Sequence, residues 1–414
     1  MLKQRIKQYF SNQNKRTQQI TAILVIVLVA GIGTYLLLGS HAATPYASTT
    51  ADSGTLASGA TKQSCAGASD GNCVVFGVSS TQANVTAPGV GTDLTWGISS
   101  ADQSTELTKL KDLGVKYVRE DIEWSSYETS PGVYNSWWVS NIDNAVNLAY
   151  QNGIQIDLLV YTTPTWESGA NTIQVPPHSN TDYANFMSYL ASRYKGKIAT
   201  YEIWNEENTS RFWNPAPDAA AYANLLKATY PAIHAADPNA KVVFGGLAAN
   251  DTAFLQAVYN AGGRPYFDIM ATHPYEACGS KGDPTLDTAD NSGNYPQDSF
   301  LGYRDVYKQM LANNDNKPLW LTEFGWSTTT QLCGQSGVWA NGVTQSQQAD
   351  YLTKAYQLLT QDSYVKVAFW YNQRNNYWDV DANTLEDQFG LETSTFVNKP
   401  AFTAFQTYAA SYHP

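Results

Sequence analysis

From about residue 91 onward, short apolar runs alternate with stretches whose apolar residues recur every three or four positions. Runs of the first kind suit buried strands, and the second kind amphipathic helices. Strands are expected at 94–98, 116–119, 154–160, 201–204, 242–247, 267–271, 319–322 and 365–371. Between them, Leu107, Leu110 and Leu113 mark a helix stopped by Gly114, and Ile142, Val146 and Ala149 one stopped by Gly153. Both glycines suit a left-handed cap. Further helices carry Tyr183, Phe186 and Leu190; Tyr222, Leu225 and Ile233; Phe254, Leu255 and Val258; Tyr303, Val306 and Met310; Leu352, Ala355 and Leu359; and Phe402 with Phe405. A capping box is expected at Thr344 and Gln347. Eight such β-then-α units predict an α/β chain closed into a (β/α)8 TIM barrel. An open doubly wound sheet is the rival, but no glycine-rich phosphate fingerprint follows an early strand.

The pattern ahead of the barrel is different. Residues 20–38 form an uncharged apolar run, longer than the ~7–15 residues of a secretory core and close to the ~20 that span a bilayer. Lys3, Arg5, Lys7, Lys15 and Arg16 precede it without any acid, which holds that end in the cytoplasm. Four segments are therefore expected: a basic cytoplasmic tail at 1–19, a transmembrane signal-anchor at 20–38, an extracytoplasmic linker at 39–90 and a catalytic domain at 91–414. The linker is rich in Ser, Thr, Ala and Gly and reads as a stalk. The expected location is the cell membrane with the barrel outside, or a secreted form if cleavage occurs near Ala42.

Export makes the four cysteines candidates for disulfides. Cys65 and Cys73 are close enough to close a small loop, and Cys278 and Cys333 fall in neighbouring loops after expected strands. Those two pairs are the preferred reading of three possible. Charged residues are only 15% of the chain, and the formal net charge is −11. With no basic patch, nucleic acid is an unsuited partner. Aromatics reach 13%, with 12 Trp and 27 Tyr; such rings fill cores and also stack on sugar faces. The five histidines show no paired ligand spacing, so no metal and no cofactor is expected.

In a barrel, chemistry gathers where strands end. The fourth expected strand ends Trp204-Asn205-Glu206-Glu207, the sixth Thr272-His273-Pro274-Tyr275, and the seventh Thr322-Glu323-Phe324-Gly325-Trp326. Two strands thus deliver a carboxylate to one face. Alternation puts Glu202, Trp204 and Glu206 on one side, with Leu319, Leu321 and Glu323 likewise, and turns Glu207 away. Paired carboxylates ~5–5.5 Å apart are what glycosidic cleavage with retention requires. A lone strand-end glutamate is more often a solvated or ion-paired residue, and Glu123 and Glu167 are read that way. Trp166, Trp213, Trp326 and Trp378 stand evenly between sugar contact and core.

Trp204-Asn205-Glu206 resembles the signature of glycoside hydrolase clan A, best matched among families 5 and 39, and the likeness runs over about residues 91–410. It implies Glu206 as acid/base and Glu323 as nucleophile. Further matched positions are Arg119, beside the nucleophile; Asn205, toward the sugar 2-hydroxyl; and His273 with Tyr275. Trp370 matches the aromatic platform. One departure is Glu207, where many relatives have proline; it is expected to add negative charge beside Glu206. The implied partner is a poly- or oligosaccharide substrate, and the protein is expected to be a monomer. The alternatives are a non-catalytic carbohydrate-binding barrel and a cell-surface transglycosylase.

Overall fold

The computed structural model describes the backbone of residues 60–64 and 72–76, then residues 86–92, 94, 100–276, 282–330, 342–375 and 386–413. The chain divides into two units, Met1–Gln82 and Ala83–Pro414. Within the first, Ala60–Ser64 pairs antiparallel with Asn72–Phe76, so part of the expected stalk is a hairpin. The expected tail and membrane helix lie outside the described residues. So do Cys65, Cys278, Cys333 and Trp378, while Cys73 is described only by its backbone in the hairpin. Among the described residues, no helix is long and apolar enough to cross a membrane.

The second unit is a closed barrel of eight parallel strands: β1 Ala87–Gly91, β2 Tyr117–Glu123, β3 Gln155–Tyr161, β4 Thr200–Asn205, β5 Lys241–Ala248, β6 Met270–His273, β7 Leu319–Phe324 and β8 Val365–Trp370. They neighbour one another in sequence order, and β8 closes on β1. The helices are α1 Ser100–Leu113, α2 Ser136–Gln151, α3 Asn180–Arg193, α4 Ala219–Ala236, α5 Thr252–Asn260, α6 Tyr303–Ala312, α7 Gln345–Leu359 and α8 Pro400–Ser411. Gly114 and Gly153 have φ of 73° and 70°, the left-handed caps expected of them. The capping box of Thr344 and Gln347 forms at the start of α7.

The first barrel strand is Ala87–Gly91, almost wholly within the expected linker, while of the expected 94–98 only Leu94 lies among the described residues. Ala-Pro-Gly-Val-Gly has no apolar alternation, and proline gives the ladder no N–H. The reason for the sequence lies on β8. A Cβ on Gly89 would stand 2.6 Å from the Phe369 ring, so the strand is thin where its neighbour is bulky.

Two apolar layers hold the barrel. The larger lies between strands and helices and includes Leu319, Leu321, Ile203 and Tyr201. The smaller plugs the barrel floor with Ala87, Val243, Ile269, Ala271, Trp320, Val367 and Phe369, against Tyr117. Trp320 meets Tyr117 edge-on at 5.7 Å, geometry that aromatic pairs prefer.

Candidate active site

Above the floor the barrel interior turns from apolar to charged. Arg119, on β2, is 8% exposed and reaches two other strands. Its Nε donates to Glu202 Oε2 on β4 at 2.6 Å, and Nη2 to Glu202 Oε1 at 3.2 Å and Asn205 Oδ1 at 2.9 Å. Its Nη1 donates to Glu323 Oε1 on β7 at 2.6 Å. Glu202 also accepts from the Gly246 amide of β5 at 3.0 Å. Burial lowers the Arg119 pKa, but Glu202 and then Glu323 outweigh it and keep the guanidinium firmly charged. Asp157, on β3, lies beside this network. Burial first, then Glu202, push its carboxyl well up against the pull of Arg119.

Glu206 and Glu323 face one another across the mouth. One oxygen of each, with a ring nitrogen of His273, lies within 4.8 Å of the other two ligand atoms. His273 Nδ1 is 3.0 Å from Glu206 Oε1 and 3.7 Å from Glu323 Oε2, and Nε2 is 3.0 Å from Thr322 Oγ1. The Tyr275 hydroxyl donates to Glu323 Oε2 at 2.8 Å. Burial pushes the Glu323 carboxyl up, but His273, Arg119 and the Tyr275 hydroxyl together hold it below the ordinary glutamate value. Such a trio has donor atoms for a cation too. Here both Glu323 oxygens are already taken by Arg119 and Tyr275, which supply the positive charge and the proton.

Both glutamates reach the interior by breaking strand alternation, not by following it. On β4, Tyr201 turns out to Leu190 O of α3 while Glu202 turns in. Trp204 should follow Glu202 inward. At φ 70° its ring instead swings outward, where Nε1 donates to Phe212 O and the ring packs near Tyr183 and Trp213. Asn205 then points in, and Glu206, at φ 44°, turns in after it. Left-handed residues of this kind cost on the order of 1–3 kcal/mol each and cluster at functional sites. On β7, Leu319 and Leu321 pack outward, whereas Trp320 belongs to the floor. The pairing with β8 then slips between Leu321 and Phe324, and Thr322 and Glu323 both turn in.

The site thus gathers Arg119, Asn205, Glu206, His273, Tyr275 and Glu323, each from its expected strand end. Trp370 does not join them. Its ring is fully buried in the core, packs against Phe324 and Trp326, and donates to Phe389 O. It pairs in register with Phe324 on the outer side of the sheet. The half-buried ring at that strand end is the next residue, Tyr371, 6.5 Å from the Tyr275 ring. Glu207 departs from expectation as well. It is wholly buried, and burial first pushes its carboxyl well up from the ordinary glutamate range.

Trp213 and Trp326 are buried core residues, and half-buried Trp166 donates to Glu128 O. Glu167 accepts from the His178 and Ser179 amides and so staples its own loop. Sequence reasoning passed over Glu202 and Asp157 as members of the site. The available signal was an acid inside an otherwise apolar strand, since carboxylates are almost never fully buried without a partner. Gly246 gave no such signal. Its missing side chain is what lets the His273 ring fit, because a Cβ there would collide with it.

A (β/α)8 barrel whose fourth and seventh strands end in facing glutamates defines a glycoside hydrolase of the clan A type. Residues 78–376 match Cellulase (glycosyl hydrolase family 5), most of the chain, and the protein belongs to that family. Solved structures with the same barrel include a family 39 glycoside hydrolase from the gut symbiont Bacteroides cellulosilyticus WH2. That match has 24% identity and a TM-score of 0.63, over 82% of this chain and 67% of that one. A monomeric beta-xylosidase from Caulobacter crescentus CB15 matches at 20% identity and TM-score 0.57, over 79% and 68%. GH5_18 from Streptomyces cattleya, in complex with GlcNAc, matches at 15% and 0.59, over 80% and 82%. At these identities the likeness is one of fold.

Proposed function

We propose that this family 5 barrel hydrolyses β-linked glycans with retention, with Glu323 as nucleophile and Glu206 as acid/base. The observation that carries the reading is the spacing of the pair. Their nearest oxygens lie within 4.8 Å, which suits the ~5–5.5 Å of retaining enzymes and leaves no room for the ~6.5–9.5 Å of inverting ones. The roles follow from unequal surroundings. Glu323 is clamped by a cation and a hydroxyl donor and stays an anion ready to attack. Among the described residues no arginine hydrogen-bonds Glu206, which touches the His273 ring instead, and this difference supports the acid/base role for it.

In the first step a Glu323 oxygen bonds to the anomeric carbon as the glycosidic bond breaks, and Glu206 gives its proton to the departing oxygen. In the second, Glu206 takes a proton from water, the water oxygen bonds to the anomeric carbon, and Glu323 is released. Asn205 has its Oδ1 committed to Arg119, which leaves its amide NH2 to donate to the 2-hydroxyl. The names of the structural neighbours, xylosidase and mannosidase among them, support a β-linked glycan as substrate. The apolar run at 20–38, with its basic flank, supports a cell-surface anchor for the barrel.

Glu323→Gln tests the chemistry. Turnover of aryl β-glycosides should fall by roughly 10⁴-fold or more while sugar binding survives, and unchanged turnover would overturn the assignment. In Glu206→Ala, azide should restore turnover of activated substrates as a β-glycosyl azide. Absence of rescue removes Glu206 from the acid/base role. The same product analysis separates hydrolysis from transfer to another sugar.

A further inference from the structure

In the barrel, β4 and β8 stand opposite one another, with three strands between them on either side. Their loops nevertheless meet. Arg211, in the loop after β4, and Glu386, in the loop after β8, form a two-pronged ion pair, with Nη1 to Oε1 at 2.7 Å and Nη2 to Oε2 at 3.2 Å. The direct route between loops of opposite strands runs over the mouth, and the neighbours of the pair put it there. The Arg211 guanidinium sits 5.1 Å from the Phe212 ring, which meets Tyr161, at the end of β3, at 6.2 Å. Glu386 and then, at longer range, Glu206 and Tyr371 raise the Arg211 pKa, so its charge lies within reach of both the acid/base and the β8 end. At the other end, Phe389 packs at 5.6 Å on both Tyr275 and Tyr371. Arg211 is thus seated on a ring beside the end of β3, and Glu386 stands three residues before a ring that packs on the two tyrosines at the mouth.

We propose that the Arg211–Glu386 pair is a crossbar over the barrel mouth that confines cleavage to glycan ends and short glycans. The proposal rests on the glycosidase reading above. A terminal sugar reaches Glu206 and Glu323 beside the bar, whereas an unbroken polymer cannot lie over the mouth along the β4–β8 line without displacing it. Fold likeness does not decide the matter, since the same barrel serves an exo-beta-1,4-mannosidase and a xylanase among the structural neighbours. Both partners are more than half-open to solvent or nearly so, at 63% and 50%. An exposed pair is screened by salt, so ionic strength should act on it in the same direction as mutation.

The test compares the wild type, Glu386→Ala, Arg211→Ala and the reversed pair Arg211→Glu with Glu386→Arg. A panel of 4-nitrophenyl β-glycosides first selects the sugar. The matching β-1,4-linked polysaccharide is then followed by viscosity and by new reducing ends. The wild type should release mono- and disaccharides with little loss of viscosity per bond broken. Either single variant should lose roughly tenfold more viscosity per bond, and the reversed pair should return toward the wild type. High salt should shift the wild type toward internal cleavage and leave the single variants unmoved. Internal cleavage by the wild type at low salt, or one product ratio shared by all four proteins, overturns the crossbar. Absence of wild-type turnover on every aryl glycoside instead overturns the glycosidase reading, and the crossbar with it.

Discussion

The floor and the mouth of this barrel are built on the same eight strands, yet they obey different rules. At the floor, Trp320, Phe369, Val367, Val243 and Ala271 turn inward in ordinary alternation and close on one another as an apolar plug. At the mouth, Trp204 and Glu206 take left-handed backbone, and the β7–β8 register slips just before Glu323. The floor is held by contact area, which tolerates regularity. The mouth has to aim several charged groups at one point, and a two-residue repeat cannot place adjacent residues on one side. What the difference teaches is that β4 and β7 depart from the regular pleat where they carry the acids, supported from below by a part of the barrel that does no chemistry.

That contrast can be broken or sharpened by substitution. Arg119→Met has the largest expected effect, because one side chain there holds Glu202, Asn205 and Glu323 together. Removing one partner of a buried ion pair costs about 3–5 kcal/mol, and kcat/KM should fall by roughly a thousandfold or more. The pH profile gives the specific readout. Arg119 helps hold Glu323 below the ordinary glutamate value of ~4.3. In the wild type, the stability that comes from this carboxylate is present above the ordinary range and is lost as pH falls through the lowered value. Without Arg119 the Glu323 pKa rises, so the acid limb of activity moves to higher pH. A limb that stays put while activity falls would confine Arg119 to a packing role.

Trp320→Ala strikes the floor instead. Loss of a buried tryptophan should cost about 3–5 kcal/mol of stability, read as a lower melting temperature. The turnover of the remaining folded enzyme at low temperature should stay near the wild type. A large loss of turnover at full folding would show that floor and mouth are not separable. Tyr275→Phe should have the smallest effect of the three. It removes one hydroxyl donor from Glu323 and leaves the ring against Phe389. Activity should drop roughly a hundredfold, with the acid limb shifted up by less than in Arg119→Met. Equal shifts would mean that charge and hydrogen bond count alike in the pair.

Much of the barrel was legible because buried strands and amphipathic helices have different apolar periods, and seven of its eight strands lie at or next to the apolar runs that predicted them. The first strand was not legible, since Gly89 is explained by Phe369, a residue 280 positions away in a register that only folding creates. At the site, resemblance together with strand order brought Arg119, Asn205, Glu206, His273, Tyr275 and Glu323 to one face. Trp370 was open between platform and core because an aromatic at a strand end looks the same from the sequence whether it faces sugar or core.

By itself, then, the sequence determined the order and kind of elements and which strand ends carry acids, since those depend on local periodicity and residue type. The tertiary structure alone decided by what backbone path each acid reaches its place. Glu206 enters the mouth and Glu207 is buried, as alternation expects. The chain gets there, however, through left-handed backbone at Trp204 and Glu206, which throws Trp204 outward and lets Asn205 and Glu206 both turn in. Such residues survive only where surrounding packing, here the outward Trp204 ring against Tyr183 and Trp213, over-determines them.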